Sequence, residues 1–148
     1  MRDALLAYAH FLAILFLTAT LCAELAIYRQ ELPAAVARRL QRIDLLFGIA
    51  AVLVLATGAA RVWLGLKGWE FYFHNPIFWT KLSLFIVVGL LSIPPTMHYL
   101  RWNAKLSAGA DGIRDEPGTY ARIRGLLVAE IVVLAFIPLC AVLMSRGL

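Results

Sequence analysis

HNPIFWTKLSLFIVVGLLSIPPTMHYLRW, residues His74 to Trp102, is an apolar run with a lysine, Lys81, near its start. A double proline, Pro94-Pro95, falls in its last third and a histidine, His98, near its end. A hydrocarbon core of about 30 Å takes roughly 20 helical residues to cross, and this run is long enough. A lysine at the centre of a span costs about 2.5–3.5 kcal/mol on insertion scales, so such a residue faces protein groups or a cavity. The run decides the fold class, and function turns on what Lys81 faces.

Three more apolar runs flank it. The four predicted spans cover about 4–28, 43–66, 76–100 and 124–144. Asp3 is placed to cap the first span, and Asn75 followed by Pro76 reads as cap and first helical residue of the third. Pro94 and Pro95 remove two backbone donors and should bend that span, freeing carbonyls near Leu90 and Leu91. The expected fold is an all-α integral membrane protein, a four-transmembrane-helix bundle forming one domain over residues 1–148. The connection RQELPAAVARRLQR, Arg29 to Arg42, is basic and amphipathic, with Pro33 suited to a first helical turn. It predicts a short interfacial helix between spans one and two. The segment Lys67 to Asn75 reads as a loop, ringed by Trp63, Trp69, Phe71, Tyr72, Phe73 and Trp79, an aromatic belt at the membrane–water boundary. Asp111-Gly112 signals a turn, and Pro117 opens the last helix.

Composition agrees. The chain is 62% hydrophobic and 16% charged, against about 25% charged in soluble domains. The formal net charge of +5 sits in the connections, where it is a topology signal and implies no nucleic-acid partner. Arg29, Arg38, Arg39 and Arg42 follow span one, and Arg101, Lys105, Arg114, Arg122 and Arg124 follow span three, whereas only Lys67 follows span two. The positive-inside rule therefore puts both termini outside. Span one is too long for a cleavable signal, and further spans follow it. Cys22 and Cys140 lie toward opposite faces, too far apart for a disulfide, and have no metal-type spacing.

The ionisable residues inside the spans fall at two depths. At 1.5 Å per residue, His10, Arg61 and Lys81 lie roughly 6–9 Å below the outer ends of their helices. Glu24, Asp44, His98 and Glu130 lie near the inner ends. His10 and Glu24 share a face of span one, about four turns apart. Each residue has a plainer reading. Arg61 and Lys81 have stems long enough to snorkel. Glu24 and Glu130 are placed to pair with Arg101, Arg122 or Arg124. Asp44 reads as an N-terminal charge favoured by the helix dipole, and His98 and His74 as interface or surface histidines. His10, in AYAHFLAI, has no long stem and needs a partner. Bundles bind cofactors between facing helices, and an imidazole is a common axial ligand of haem iron. No hydrolase, phosphate-loop or zinc motif is present.

ALLAYAHFLAI, ARRLQRIDLLFGIAA, GWEFYFHNPIFWTKL and LLSIPPTMHYLRW carry a resemblance over most of the chain to a family of short bacterial four-span membrane proteins with no assigned function. The order of elements is more distantly similar to HemJ-type protoporphyrinogen oxidases and to the membrane part of CopD-type copper-resistance proteins. The counterparts of the HemJ-type pattern are His10, Arg38-Arg39-Leu40, Gly68-Trp69, Lys81 and Glu130. Trp79-Thr80, Ser92-Ile93-Pro94-Pro95 and Ala129-Glu130-Ile131-Val132 depart from it. The resemblance implies a bacterial inner membrane location and a haem b tied to the histidine and the lysine.

The resulting expectation is a haem-b-binding redox membrane protein, a membrane oxidoreductase. His10 is the axial or metal ligand, Arg61 and Lys81 line the site, and Lys81 is the candidate catalytic group. A quinone or other redox partner in the lipid bilayer, and a homodimer, fit this reading. The alternative is a non-enzymatic structural or transport-linked subunit whose buried polar residues hold the helices together. A third reading is a proton or small-solute carrier using His10, Glu24, Glu130 and Lys81 as relay groups.

Overall fold

A computed structural model describes residues 1–146. Helix α1 covers Arg2–Ile27, α2 Ala34–Leu64, α3 Gly68–Phe73, α4 Pro76–Ser107 and α5 Pro117–Ser145. Strands β1, Glu31–Pro33, and β2, Gly112–Arg114, pair antiparallel in the register Glu31–Arg114, Leu32–Ile113, Pro33–Gly112. α1, α2, α4 and α5 are each long and apolar enough to cross a membrane, as the sequence predicts. The strands lie in the α1–α2 and α4–α5 connections, so pairing brings both connections to one end of the bundle, here the strand end. The termini and α3 lie at the opposite end.

Each long helix buries one stripe spaced mainly by steps of three and four, the spacing of a packed bundle seam. In α5 the stripe is Ile123, Leu127, Glu130, Leu134 and Ile137. In α1 it is Ala13, Leu17, Thr20, Leu21 and Glu24. α2 contributes Ala37, Leu40, Asp44, Phe47, Ala50 and Val54. α4 contributes Val88, Pro95, Tyr99, Trp102 and Leu106. The outward faces are apolar, with Phe11, Leu15, Val52, Ile86, Leu90 and Phe136 among the exposed residues. That is the inverse of a soluble bundle and suits a lipid solvent. α1 packs closely on α2 and α4 on α5, while the contact between α2 and α4 is sparse.

Several boundaries differ from expectation. The segment Arg29 to Arg42 forms no separate interfacial helix. Its first part is β1, and Ala34 onward is the beginning of α2, continuous into the span. Pro33, locked in an extended conformation at φ −57° and ψ 149°, ends the strand and starts that helix. Asp3 is not an N-cap, because α1 starts at Arg2. Its carboxylate instead accepts from the Leu66 backbone N–H at 3.3 Å, beyond the end of α2. The aromatic connection holds a helix, α3, as well as a loop. Asn75 does cap α4, its Oδ1 accepting from Ile77 N–H at 2.8 Å, with Pro76 as the first helical residue. Pro117 opens α5. α4 runs without interruption through Pro94 and Pro95.

Candidate functional site

At the termini end, His10 on α1 meets α2. Its Nδ1 is 2.9 Å from Thr57 Oγ1, and that hydroxyl is anchored to the Leu53 carbonyl at 2.6 Å. The ring lies so close to Gly58 that an added Cβ there would stand 3.2 Å from His10 Cε1. A larger residue at this point would push the imidazole back by a few tenths of an ångström. His10 is within electrostatic reach of Arg61 and Lys81, and Lys81 of Arg61 and the Cys140 sulfur. Lys81 Nζ sits 5.8 Å from the Phe78 ring centroid. Arg61 Nε is buried without a hydrogen-bond partner. The outer layer of His10, Arg61 and Lys81 thus comes together, and Arg61 and Lys81 are both half-buried.

The haem implied by the resemblance would find one imidazole here, its Nδ1 2.9 Å from Thr57 Oγ1. A hydrogen bond on one ring nitrogen is common in a ligating histidine. A porphyrin brings four of its iron's ligands, so a single imidazole and two cations for the propionates fit it in kind. A bare metal ion is another matter. No group of three or more His, Cys, Asp or Glu able to hold one occurs among the described residues. Both cysteines are free.

Toward the strand end, Glu24, Asp44 and Glu130 approach one another from three helices, and Tyr99 of α4 lies within electrostatic reach of all three. Glu24, Glu130 and Tyr99 are each 1% exposed. Glu24 Oε1, both carboxyl oxygens of Glu130 and the Tyr99 hydroxyl are buried with no hydrogen-bond partner. Asp44 Oδ1 accepts from Thr96 Oγ1 at 2.8 Å. The three acids and the phenol occupy the core stripes of α1, α2, α5 and α4, one from each helix. Desolvated carboxyl groups so placed must be protonated or matched by a cation.

The arginines do not supply that match. Among the described residues the acid–base contacts are the His98–Asp115 hydrogen bond at 2.8 Å and the Arg114–Glu31 ion pair at 3.1 Å. Arg124 Nη1 goes to the Leu25 carbonyl at 3.4 Å. Glu24 and Glu130 are therefore not paired with Arg101, Arg122 or Arg124. Nor is Asp44 a helix-terminus charge: α2 begins ten residues earlier, at Ala34, which puts Asp44 inside the helix and on its buried stripe.

His98 stands apart from the acidic layer. It shares Asp115 with Tyr28, whose hydroxyl donates to Asp115 Oδ2 at 2.6 Å. Burial first, then this hydrogen bond and the carboxylate charge, push the Tyr28 phenol above its ordinary range. Tyr28, Tyr99 and Trp102 pack ring against ring around this junction, with centroids 5.1–6.5 Å apart. His74 is exposed, its Nδ1 2.8 Å from the Glu70 carbonyl oxygen.

Asp115, Tyr28, Thr57 and Thr96 were not candidates from sequence. Asp115 sits in a polar connection among other charges, with nothing local to single it out. Tyr99 had a usable signal, its place on the three-four stripe of α4. Gln41 is a further case, donating to the Tyr99 carbonyl at 2.6 Å and bridging α2 to α4.

No curated protein and no solved structure matches the chain. One family model does, over residues 2–148, and on that match the chain belongs to the family described as predicted membrane protein (DUF2214).

Proposed function

We propose that the protein is a transport-linked membrane protein whose inner acidic layer takes up and passes protons. One observation carries this reading. Three carboxyl oxygens of Glu24 and Glu130, and the Tyr99 hydroxyl facing them, are buried and unpartnered. Polar groups that merely held helices together would be hydrogen-bonded, as His10–Thr57 and Thr96–Asp44 are. Buried ionisable groups with no protein partner carry a stability cost, which is the pattern of a functional intramembrane site. The basic connections at the strand end support a cytoplasmic placement for that end in a bacterial inner membrane, with the termini outside.

The test is proton flux into liposomes containing a trapped pH dye, driven by a potassium diffusion potential. Wild-type protein conducts, and the E24Q/E130Q double variant does not. Unchanged flux in a correctly folded double variant overturns the reading.

A second reading keeps haem b at the outer layer. Its support is the convergence of Arg61 and Lys81 on an imidazole whose Nδ1 is already held by Thr57. Protein purified after expression with ample haem supply should then give a b-type reduced-minus-oxidised spectrum that His10→Ala abolishes. A colourless, folded wild-type protein removes it.

A further inference from the structure

The sparse contact between α2 and α4 leaves a groove of about 540 Å³. That volume is within the range of small-molecule sites. Its wall is mostly apolar, including Phe47, Val52, Phe85 and Val88, and its one ionisable side chain is Asp44, beside Thr96. Leu45, Ile49 and Val52 at its edge belong to the lipid-facing surface, so the groove opens sideways into the bilayer. We infer that this groove binds a lipophilic cation, entering from the membrane, with Asp44 as its counter-ion. The inference rests on reading the acidic layer as a transport site, and it names the substrate class.

Charge and solvation select that class. A neutral apolar ligand would leave the Asp44 carboxyl with no cationic partner beyond its hydrogen bond from Thr96, and an anion would be repelled by it. A hydrophilic cation would not partition to a groove whose open side is lipid. A delocalised or shielded cation satisfies both demands, and the rings of Phe47 and Phe85 offer it aromatic surface. The aqueous mouth is guarded by the opposite charge. Arg38 and Arg42 line a shallower recess that shares Gln41 and Leu45 with the groove. Their guanidinium groups disfavour cation entry from water there and leave the lipid side as the route. Thr96, which lines the groove with Asp44, holds Asp44 Oδ1 at 2.8 Å.

Two glycines allow a clean test. Gly48 and Gly89 line the groove, and a Cβ added at either meets nothing within 4 Å. A leucine at either position therefore starts from a Cβ in open space and takes up groove volume, and helix propensity favours the change.

The experiment is equilibrium binding of radiolabelled tetraphenylphosphonium to the full-length protein in lipid nanodiscs. Wild-type protein should bind saturably. Asp44→Asn, which can still accept from Thr96, should weaken binding by about tenfold or more, the scale of losing a desolvated charge partner. Gly48→Leu and Gly89→Leu should abolish binding while the melting temperature holds or rises. The E24Q/E130Q variant should bind tetraphenylphosphonium as wild type does even where its proton flux is lost, which keeps this result separate from the flux result. Absence of saturable binding to folded wild-type protein overturns the inference, as does equal binding by Asp44→Asn. A wild-type dimer that Gly48→Leu dissociates, with no tetraphenylphosphonium bound, overturns it in favour of a second copy in the groove.

Discussion

Thr96 on α4 donates its hydroxyl to Asp44 Oδ1 on α2 at 2.8 Å, joining two helices that otherwise pack sparsely. A buried hydrogen bond to a carboxyl group contributes about 1–3 kcal/mol. Thr96→Val keeps the shape and removes the donor, so it should lower the melting temperature measurably. Thr96→Ser should recover most of the loss. Thermal unfolding in detergent, followed by circular dichroism, reads both.

Glu130 should behave in the opposite sense. Both of its carboxyl oxygens are buried and unpartnered, so replacing the side chain by an apolar one of similar length removes a desolvation cost. Glu130→Met is expected to raise stability by about 1–3 kcal/mol while proton flux falls. A loss of stability would mean that the carboxyl contributes to packing through contacts of its own. The same thermal scan, run beside the liposome assay, measures both.

Asp115 serves two partners at once, accepting from the Tyr28 hydroxyl at 2.6 Å with His98 Nε2 at 2.8 Å. Asp115→Ala strands both and should cost about 3 kcal/mol, within the range for hydrogen bonds to a charged group. Asp115→Asn should cost less.

Tyr28 gives that junction a pH dependence. Its phenol is held above the ordinary range by burial and by Asp115, so the folded state retains the proton longer than the unfolded chain does. The stabilisation is complete below about pH 10, the unfolded value of a phenol, and is lost as pH rises above it. Tyr28→Phe removes that term. The gap in melting temperature between wild type and Tyr28→Phe should therefore narrow from pH 8 to pH 11.

Gly112 and Gly58 are among the glycines with little room for a side chain. A Cβ on Gly112 would lie 2.6 Å from the Leu32 carbonyl oxygen, and one on Gly58 would lie 3.2 Å from His10 Cε1. Gly112→Ala should force the strand pair apart, exposing backbone amides near Leu32 and Ile113 to hydrogen exchange. Gly58→Val should displace the imidazole from Thr57. In that variant the chemical shifts of labelled His10 should move, and those of His98 should stay.

The spans were legible because lipid imposes a length and an apolar composition that can be read residue by residue. The cap at Asn75 and the start at Pro117 were legible because both rest on local backbone chemistry. The grouping of His10, Arg61 and Lys81 was readable from depth alone, since three helices of known length fix three heights. What failed was everything set by pairing between distant segments. The stretch around Glu31 looked like the start of an interfacial helix, because nothing in Arg29 to Arg42 announces a strand partner in Gly112–Arg114. Asp44 looked like a helix terminus because the span boundary was taken for the helix boundary, whereas α2 extends ten residues before it. The absence of arginine partners for Glu24 and Glu130 could not be read either. Proximity in sequence to Arg122 and Arg124 says nothing about which face of α5 each side chain occupies, and Glu130 alone of the three falls on the buried stripe.

The short strand pair also bears on how the chain is made. β1 emerges from the ribosome just after the first helix, yet its partner, Gly112–Arg114, comes only after α2, α3 and α4 have been synthesised. Until then the first hairpin sits in the bilayer with an open backbone edge. Closing so long a loop adds only slowly to the entropic cost as length grows, but it cannot begin before residue 112 exists. In the finished pair Leu32 and Ile113 lie opposite each other and are both buried. Translation order makes the strand pair a late latch: it fastens two hairpins already threaded through the membrane, and a ribosome stalled before Gly112 would leave the first of them unfastened.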